Sequence, residues 1–500
     1  MGAGATESGS VKLLTALTAG ITTILVAFCL LGMPLSCARF TGISNPPGWP
    51  AVFGGPRAFC APLWLSANEA GEVYCAGVYS GKVDFDSGAD VEACSRQYED
   101  VTPFIVKYGP SGAFEWLLCD VPGLQDASLN DLSIDSLGNV ILAGYSTREP
   151  YVGEDSTSQL TNEGTVLSLD SGGNLLWSLA LGELGNPGGD CEVQAVRVNA
   201  EGDIVLAGVF SGTVDFDPSD AAAYASSRGM VNAFLCKISA SRDLVWVRTW
   251  GGTGIRDKPF SLTFDSFGSI YVTGTLNGFE QLVFDSGQVL PEAATGSLVG
   301  SFLMKFDENG VLIWMDTWAG DCIDDKCYSR SLVSFGDRIY TYGDFEGNLR
   351  FVCNEASTEA ISHGLRDNFL MEFGTDGACE WAVTWGNEGD EKAQSLAVSD
   401  TGRLYCCSSA VVPAGDLRKA AVYYVARDTA PVPIWEAQCY GTDIAWDTQL
   451  GLCMSGYFTS PTDLGRGAGA VMTNTGAADG YIVRVWQEDA LDRRGGQNGY

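Results

Sequence analysis

The stretch VRVNAEGDIVLAG, residues 196–208, decides the fold of this chain. Apolar and polar residues alternate on both sides of a four-residue turn that ends in glycine, which is the pattern of a β-hairpin. The same pattern recurs in LSANEAGEVYCAG (65–77), LSIDSLGNVILAG (132–144) and LTFDSFGSIYVTG (262–274). One hairpin repeated at wide intervals indicates a repeat architecture.

A second hairpin follows these copies along the chain. Its first strand begins with an aromatic residue, its turn is polar and its second strand carries a tryptophan. The copies are FIVKYGPSGAFEW (104–116), FLCKISASRDLVW (234–246), FLMKFDENGVLIW (302–314) and FLMEFGTDGACEW (369–381). Two hairpins give each repeated unit four antiparallel strands.

The spacing of the tryptophans predicts the number of units. Seven of them recur at intervals of 54 to 69 residues: Trp49, Trp116, Trp177, Trp246, Trp314, Trp381 and Trp435. We therefore predict an all-β fold, a seven-bladed β-propeller of four-stranded antiparallel blades. The last unit has only three strands and Trp49 has no hairpin before it, so we expect the N-terminal strand to complete the last blade. That closure would remove exposed sheet edges.

These motifs resemble the bacterial secreted β-propeller-repeat proteins. Their units read as a hairpin with GNVYVTG, a loop, DAFLAKLDPSG, and then tryptophan and Gly-Gly. The resemblance covers residues 47–486 and is weakest in unit six, where AAVYYVARDTAPVPIW replaces the usual turn with two prolines. It implies a propeller fold and an extracytoplasmic location, and it implies little about activity because propellers host many functions.

The first 37 residues form a separate segment. Residues 13–35 carry no charge and are long enough to span a bilayer as a helix. The ending MPLSC resembles a bacterial lipoprotein cleavage box, with Cys37 as the lipidated residue. A lipoprotein signal, a retained membrane anchor and a plain cleaved signal all remain open. Each places the rest of the chain outside the cytoplasm, in the cell envelope or at the cell surface, either membrane-anchored or secreted. The membrane is contacted through this segment only. The rest of the chain divides into a linker (38–46), the propeller (47–486) and a polar flexible tail (487–500).

Charge limits the partners. The chain has 62 acidic and 29 basic residues and a net charge of −33, which excludes nucleic acid as a partner. In a four-stranded blade, the loops between hairpins and between units share one face, here called the loop face, and these loops are long and acidic. We therefore predict a non-enzymatic module that binds a protein, a glycan or a cationic ligand on the loop face. The alternative is a hydrolase or lyase with paired carboxylates near the channel mouth.

Asp-Phe-Asp occurs twice, at residues 84–86 and 215–217. On an extended strand Asp84 and Asp86 point the same way, as do Asp215 and Asp217, and such pairs could begin a calcium site. The alternative is that these aspartates cap the turn at the strand exit. Calcium is the only cofactor that the sequence suggests.

Cysteine and histidine residues give few candidates for chemistry. Apart from Cys29 and Cys37, fourteen scattered cysteines favour disulfides over zinc sites, and Cys322 and Cys327 are close enough in sequence to close a small loop. The only histidine is His363, which we interpret as an ordinary surface residue. The sequence predicts no catalytic residue.

Overall fold

The computed structural model describes residues 51–86, 92–97, 100–119, 127–148, 161–182, 189–219, 221–252, 257–277, 283–285, 287, 299–320, 322, 324–354, 356–412, 417–447, 451–464 and 471–486. These residues form strands and turns, and no helix. A helix long and apolar enough to cross a membrane is therefore not found among them. Residues 1–50 and 487–500, which include the apolar segment, Cys37 and Trp49, lie outside this part of the chain.

The described strands group into seven four-stranded antiparallel sheets, and a single parallel pair, Val299 with Lys326, links the fourth sheet to the fifth. Sheet one contains β2 (Phe59–Ala67), β3 (Val73–Ser80), β6 (Thr102–Tyr108) and β7 (Phe114–Cys119). Sheet two contains β8 (Ala127–Ile134), β9 (Val140–Arg148), β10 (Thr161–Leu169) and β11 (Leu175–Leu181). Sheet three contains β12 (Cys191–Val198), β13 (Ile204–Phe210), β16 (Asn232–Ile238) and β17 (Leu244–Gly251). Sheet four contains β18 (Lys258–Phe264), β19 (Ile270–Asn277), β21 (Val299–Phe306) and β22 (Leu312–Trp318). Sheet five contains β23 (Lys326–Phe335), β24 (Arg338–Glu346), β27 (Asp367–Gly374) and β28 (Cys379–Trp385). Sheet six contains β29 (Asp390–Val398), β30 (Leu404–Val412), β31 (Leu417–Val425) and β32 (Val432–Ala437). Sheet seven contains β33 (Tyr440–Asp447), β34 (Gly451–Phe458), β37 (Asp479–Trp486) and β1 (Ala51–Phe53). Below, each unit is numbered as its sheet.

The sheets close into a ring. The first strands of successive units contact one another in order, and β33 of unit seven contacts β2 of unit one. The N-terminal strand β1 pairs with β37, with Ala51 opposite Ile482 and Phe53 opposite Gly480. The predicted all-β propeller with four-stranded antiparallel blades is confirmed, and so is the N-terminal strand that completes the last sheet.

Each first strand carries a β-bulge at the same place, and these strands line the centre of the ring. A bulge re-aims the side chains beside it. At three junctions the residue after the bulge accepts a backbone N–H from the next unit. Asp131 accepts from Val196 at 2.8 Å, Ser331 from Leu396 at 3.1 Å, and Asp443 from Leu65 at 2.7 Å. The bulges therefore join neighbouring units around the channel.

The glycine that ends the opening motif has a steric cause. A Cβ on Gly208 would lie 2.2 Å from the carbonyl oxygen of Glu192 on the first strand. The same close approach to a first-strand carbonyl occurs at Gly77, Gly144, Gly274, Gly343 and Gly456. Unit six has Ser408 at this position, opposite Ala393. Glycine thus allows the first two strands of most units to approach closely at the bulge.

The tryptophan of the second hairpin joins neighbouring sheets. The Trp116 indole donates to the Ser171 carbonyl at 2.9 Å, Trp246 to Glu308 at 3.1 Å, and Trp314 to Thr375 at 3.0 Å. In each case the acceptor belongs to a turn of the next unit, and a glycine of that turn lies on the indole. These glycines are Gly173, Gly310 and Gly377, all with positive φ.

Short strands between the second and third strand of several units extend the loop face. They are β4 (Lys82–Asp84), β5 (Ala93–Ser95), β14 (Thr213–Asp215), β15 (Tyr224–Ser226), β20 (Val283–Phe284), β25 (Asn348–Cys353), β26 (Ala356–Ile361), β35 (Thr462–Asp463) and β36 (Val471–Met472). They bond to the outer edge of the preceding unit: Asp84 bonds to Gly54, Asp215 to Gly182, and Arg350 to Ala319. The insertions therefore fasten each unit to the one before it.

Most cysteines of the described chain are core residues and not disulfide partners. Cys60, Cys191, Cys327 and Cys439 occupy one repeat position, two residues before the bulge, and all four are buried free thiols. Buried cysteine packs as a small apolar side chain. The one disulfide among the described residues joins Cys94 of β5 to Cys119 of β7.

Candidate functional site

A cleft of about 340 Å³ opens between units five and six. It lies on the face that carries the short turns within the hairpins, here called the turn face. The lining residues are Arg338, Tyr340, Glu372, Trp381, Gly402, Arg403, Leu404, Tyr424, Val425, Ala426 and Arg427. The cleft thus combines three aromatic rings with three guanidinium groups and one carboxylate.

The turn of unit six that lines the cleft departs from the glycine turns of units two, four and five. In the turn after its third strand, Thr429 stands where other units place Gly173, Gly310 and Gly377, with the same backbone bond across the turn, from the Thr429 N–H to the Ala426 carbonyl. A Cβ at those glycines would lie within 2.8 to 3.0 Å of the indole of the preceding unit. Thr429 carries the Cβ that those glycines lack, so this turn cannot approach an indole as closely as they do, and Trp381 lines the cleft.

The charges in the cleft reverse the pattern of other units. In unit one the third-strand Lys107 pairs with Glu72 at 2.6 Å, and in unit three Lys237 pairs with Asp203 at 2.9 Å. Unit five places Glu372 at the lysine position. Unit six has Arg403 at the position of Glu72 and Asp203. Basic groups therefore gather in one place on a strongly acidic chain.

Two arginines and two glutamates form a fixed network at the cleft. Arg427 lies 3.3 Å from the Glu372 carboxylate and 3.7 Å from that of Glu380. Arg338 lies 3.8 Å from Glu372 and also contacts Glu380. Burial and the negative charge of Glu372 raise the pKa of Tyr340 to about 12. The Tyr340 hydroxyl therefore keeps its proton at neutral pH. Fixed donors and acceptors beside aromatic rings are suited to binding a small polar ligand.

This cleft is on the opposite face from the one that the sequence favoured. The prediction placed the functional surface among the long acidic loops of the loop face, whereas the cleft lies among the short turns. The signal in the sequence was the irregular turn of unit six, ARDTAP at 426–431, which weakens the repeat where the cleft opens.

The Asp-Phe-Asp segments lie at the ends of β4 and β14. Asp84 Oδ1 accepts the Asp86 N–H at 3.2 Å. Asp215 Oδ1 accepts the N–H groups of Asp217 at 3.1 Å and Ala223 at 2.8 Å. These are the turn contacts expected of caps. Phe85 and Phe216 between the aspartates are fully buried.

Metal ligation by Asp84, Asp86, Asp215 and Asp217 remains a prediction. In the part of the chain described here, no three His, Cys, Asp or Glu side chains form a group that could hold a metal ion. A site with fewer side-chain ligands would need backbone or water oxygens as well.

The structure does not join the predicted pair of Cys322 and Cys327. Cys322 is exposed, and its backbone N–H bonds to the Asp325 carboxylate at 2.8 Å. Cys327 is buried on β23, where its sulfur accepts a hydrogen bond from Ser301 at 3.4 Å. The turn at Asp325 holds Cys322 at the surface while the strand carries Cys327 into the core.

His363 is an exposed residue, and its ring is oriented by a buried acid. Its Nδ1 lies 2.8 Å from Asp367 Oδ2, and only 2% of the Asp367 side chain is exposed. The hydrogen bond and charge of Asp367 raise the pKa of His363. No sequence pattern indicated this contact, because Asp367 belongs to the following strand.

The fold defines a β-propeller, built here from repeated four-stranded sheets. Residues 245–279 match the family model described as a beta-propeller repeat (SBBP). The match begins in β17 and runs through β18 and β19, so it spans the junction of units three and four. The repeat and the Cys94–Cys119 disulfide indicate an extracellular protein.

Several solved structures resemble the chain weakly. A protein of unknown function from Dyadobacter fermentans has 10% identity over 88% of this chain and 100% of its own, with a TM-score of 0.38. An ulvan lyase from a polysaccharide lyase family has 10% identity over 83% of both chains and a TM-score of 0.31. A sialidase from Trypanosoma rangeli has 8% identity over 88% of this chain and 56% of its own, with a TM-score of 0.33. None of the curated proteins matches the chain.

Proposed function

We propose that this protein is an extracytoplasmic, non-enzymatic binding module that holds a carbohydrate in the cleft between units five and six. The observation that carries the proposal is the lining of the cleft, where the aromatic rings of Tyr340, Trp381 and Tyr424 lie beside three guanidinium groups. Aromatic rings offer apolar faces for the C–H groups of a sugar, and a glycan is among the partners that the sequence suggested.

The polar groups of the cleft are suited to sugar hydroxyls. Arg338 and Arg427 are held by their ion pairs with Glu372 and Glu380, so their remaining N–H donors are fixed before a ligand arrives. Preorganised donors reduce the entropy lost on binding. Each carboxylate is held by both arginines. Neither is then left to act as a general acid or base, which favours binding over hydrolysis or elimination.

The N-terminal segment provides the cellular context of the proposal. Residues 1–37, as a lipoprotein signal with Cys37 or as a retained anchor, would hold the propeller at the cell surface, while a cleaved signal would release it. A surface propeller with an accessible cleft could then bind glycans outside the cell.

Substitution of Arg427 tests the proposal. Binding of the full-length protein is measured on an array of neutral and acidic oligosaccharides, followed by calorimetry with the best ligand. We expect Arg427→Ala to weaken binding at least about tenfold, corresponding to about 1.4 kcal/mol. Arg242→Ala is the matched control, since Arg242 lies in the corresponding turn of unit three, outside the cleft.

A second pair of variants tests the aromatic wall. Tyr424→Ala should weaken binding, while Tyr224→Ala should not, because Tyr224 is exposed on the loop face. Equal losses in variants and controls, or no binding on the array, would contradict the proposal. Shortened products from a bound oligosaccharide, detected by chromatography, would favour the hydrolase or lyase instead.

A further inference from the structure

Two buried carboxylates meet on the loop side of the junction between units five and six. Asp367 begins β27 and Glu391 is the second residue of β29, and they are 1% and 2% exposed. Burial, followed by the charges of Asp367 and Asp390, raises the pKa of Glu391 to about 7. The negative charge of Asp367 is thus one cause of the raised pKa of Glu391.

One oxygen of each acid has no hydrogen-bond partner among the described residues. These buried oxygens are Asp367 Oδ1 and Glu391 Oε1. Both lie against the loop 386–389: a Cβ on Gly386 would lie 2.3 Å from Asp367 Oδ1, and a Cβ on Gly389 would lie 2.8 Å from Glu391 Oε1. Buried charged oxygens without partners are costly unless a cation or proton compensates them.

Nearby basic groups leave these two oxygens uncompensated. His363 contacts the other oxygen of Asp367, Oδ2. Arg366 is committed to Asp390 through two hydrogen bonds of 2.5 and 2.6 Å. The acid pair therefore retains excess negative charge facing the 386–389 loop.

The repeat shows that this pair is specific to one junction. Each junction has a residue at the position of Asp367, on the third strand of one unit, and a residue at the position of Glu391, on the first strand of the following unit. The pairs, in chain order, are Thr102 with Ala127, Glu163 with Cys191, Asn232 with Asp257, Gly300 with Cys327, Asp367 with Glu391, Lys419 with Cys439, and Asp479 with Cys60. Among these described pairs, Asp367 with Glu391 is the one that brings two carboxylates together.

We propose that the junction of units five and six binds a hard divalent cation between the carboxylates of Asp367 and Glu391. Carboxylate and carbonyl oxygens are the donors that Ca²⁺ and Mg²⁺ prefer. Backbone carbonyl or water oxygens would complete the coordination of the ion. The site is separate from the Asp-Phe-Asp segments and from the carbohydrate cleft.

Calcium titration of the full-length protein, after chelation, tests this site by calorimetry and thermal melting. Ca²⁺ should bind and raise the melting temperature with concentration, as expected for a ligand of the folded state. Glu391→Gln keeps the size of the side chain and removes the repulsion, so this variant should fold. We expect it to weaken Ca²⁺ binding at least about tenfold.

Two controls locate the ion. Asp479→Asn changes the acid at the same repeat position in unit seven, and Asp215→Asn with Asp217→Asn changes an Asp-Phe-Asp segment. Both should keep wild-type Ca²⁺ affinity. The proposal is overturned if Ca²⁺, Mg²⁺ and Mn²⁺ leave the wild type unchanged, which would mean that a shared proton compensates the acids. It is also overturned if Glu391→Gln binds normally, or if affinity is lost in the Asp215 and Asp217 variant.

Discussion

Replacement of Phe53 by alanine should lower the free energy of unfolding by about 3–5 kcal/mol, the range for large buried aromatic residues. Phe53 is 1% exposed in the three-residue strand that completes unit seven. Its ring lies 5.4 Å from that of Phe85 and 6.1 Å from that of Phe104, both in unit one. One side chain thus joins the two ends of the ring, and its loss leaves a cavity between the first and last units.

Urea unfolding of the full-length protein measures this effect. Val52→Ala is the matched control, since Val52 lies on the same strand and is only partly buried. Its cost should be about 1 kcal/mol or less. If Phe53→Ala proved no more costly than Val52→Ala, closure by the N-terminal strand would not be a main source of stability.

Asp443 closes the ring on its inner side, and Asp443→Ala should cost about 1–3 kcal/mol for the buried donors that it leaves unpaired. The carboxylate accepts the N–H of Leu65 in unit one at 2.7 Å and that of Ile444 at 2.8 Å. Ser331→Ala is the comparison, because Ser331 makes the single corresponding bond in unit five. We expect the smaller loss for Ser331→Ala, measured as the shift in urea midpoint. An equal loss would show that the second bond of Asp443 adds nothing.

The charge of Asp443 also predicts a pH dependence. Burial raises its pKa from 3.8 to about 6, so the folded chain keeps this proton at pH values where the unfolded chain has lost it. Its contribution to stability is present below about pH 4 and decreases as the pH rises to about 6. Asp479, with a pKa of about 6, and Glu391, at about 7, act in the same direction.

Asp443→Asn isolates the contribution of this group. Urea midpoints are compared at about pH 4.5 and about pH 7.5. Acids with a lowered pKa, such as Asp203, stay charged throughout this window, because they gain a proton only at lower pH. The wild type should lose stability across this window, and the variant should lose less. If the urea midpoint fell between the two pH values by the same amount in the variant as in the wild type, Asp443 would not titrate as proposed.

Local pattern was sufficient to predict the repeated elements. Alternation around turns such as NAEG at 199–202 indicated the hairpins, and the recurring tryptophans indicated the period. The unpaired tryptophan segment at the N-terminus predicted the closure, which β1 and β37 confirm. These features depend on neighbours along the chain, or on a count of repeats, and both can be read from sequence.

The cysteines show where local reasoning was only partly right, since the described residues include one disulfide, Cys94–Cys119. An even number of scattered cysteines favoured many disulfides, yet Cys60, Cys191, Cys327 and Cys439 share a buried core position and are free. An alignment of the first strands could have indicated that this is a position for a small apolar residue, because unit two has Ala127 there. Which thiols approach each other depends on strand packing and not on their number.

The sequence by itself therefore determined the class of fold, the four-stranded unit and the way in which the ends meet, because hydrophobic periodicity and turn chemistry are local properties. Only the tertiary structure decided where side chains from different units come together. Trp381 and Arg403 are brought to one cleft, and Asp367 and Glu391 to one junction, by the packing of unit five on unit six. Such contacts depend on the register between sheets, which no alternation pattern within a single strand records.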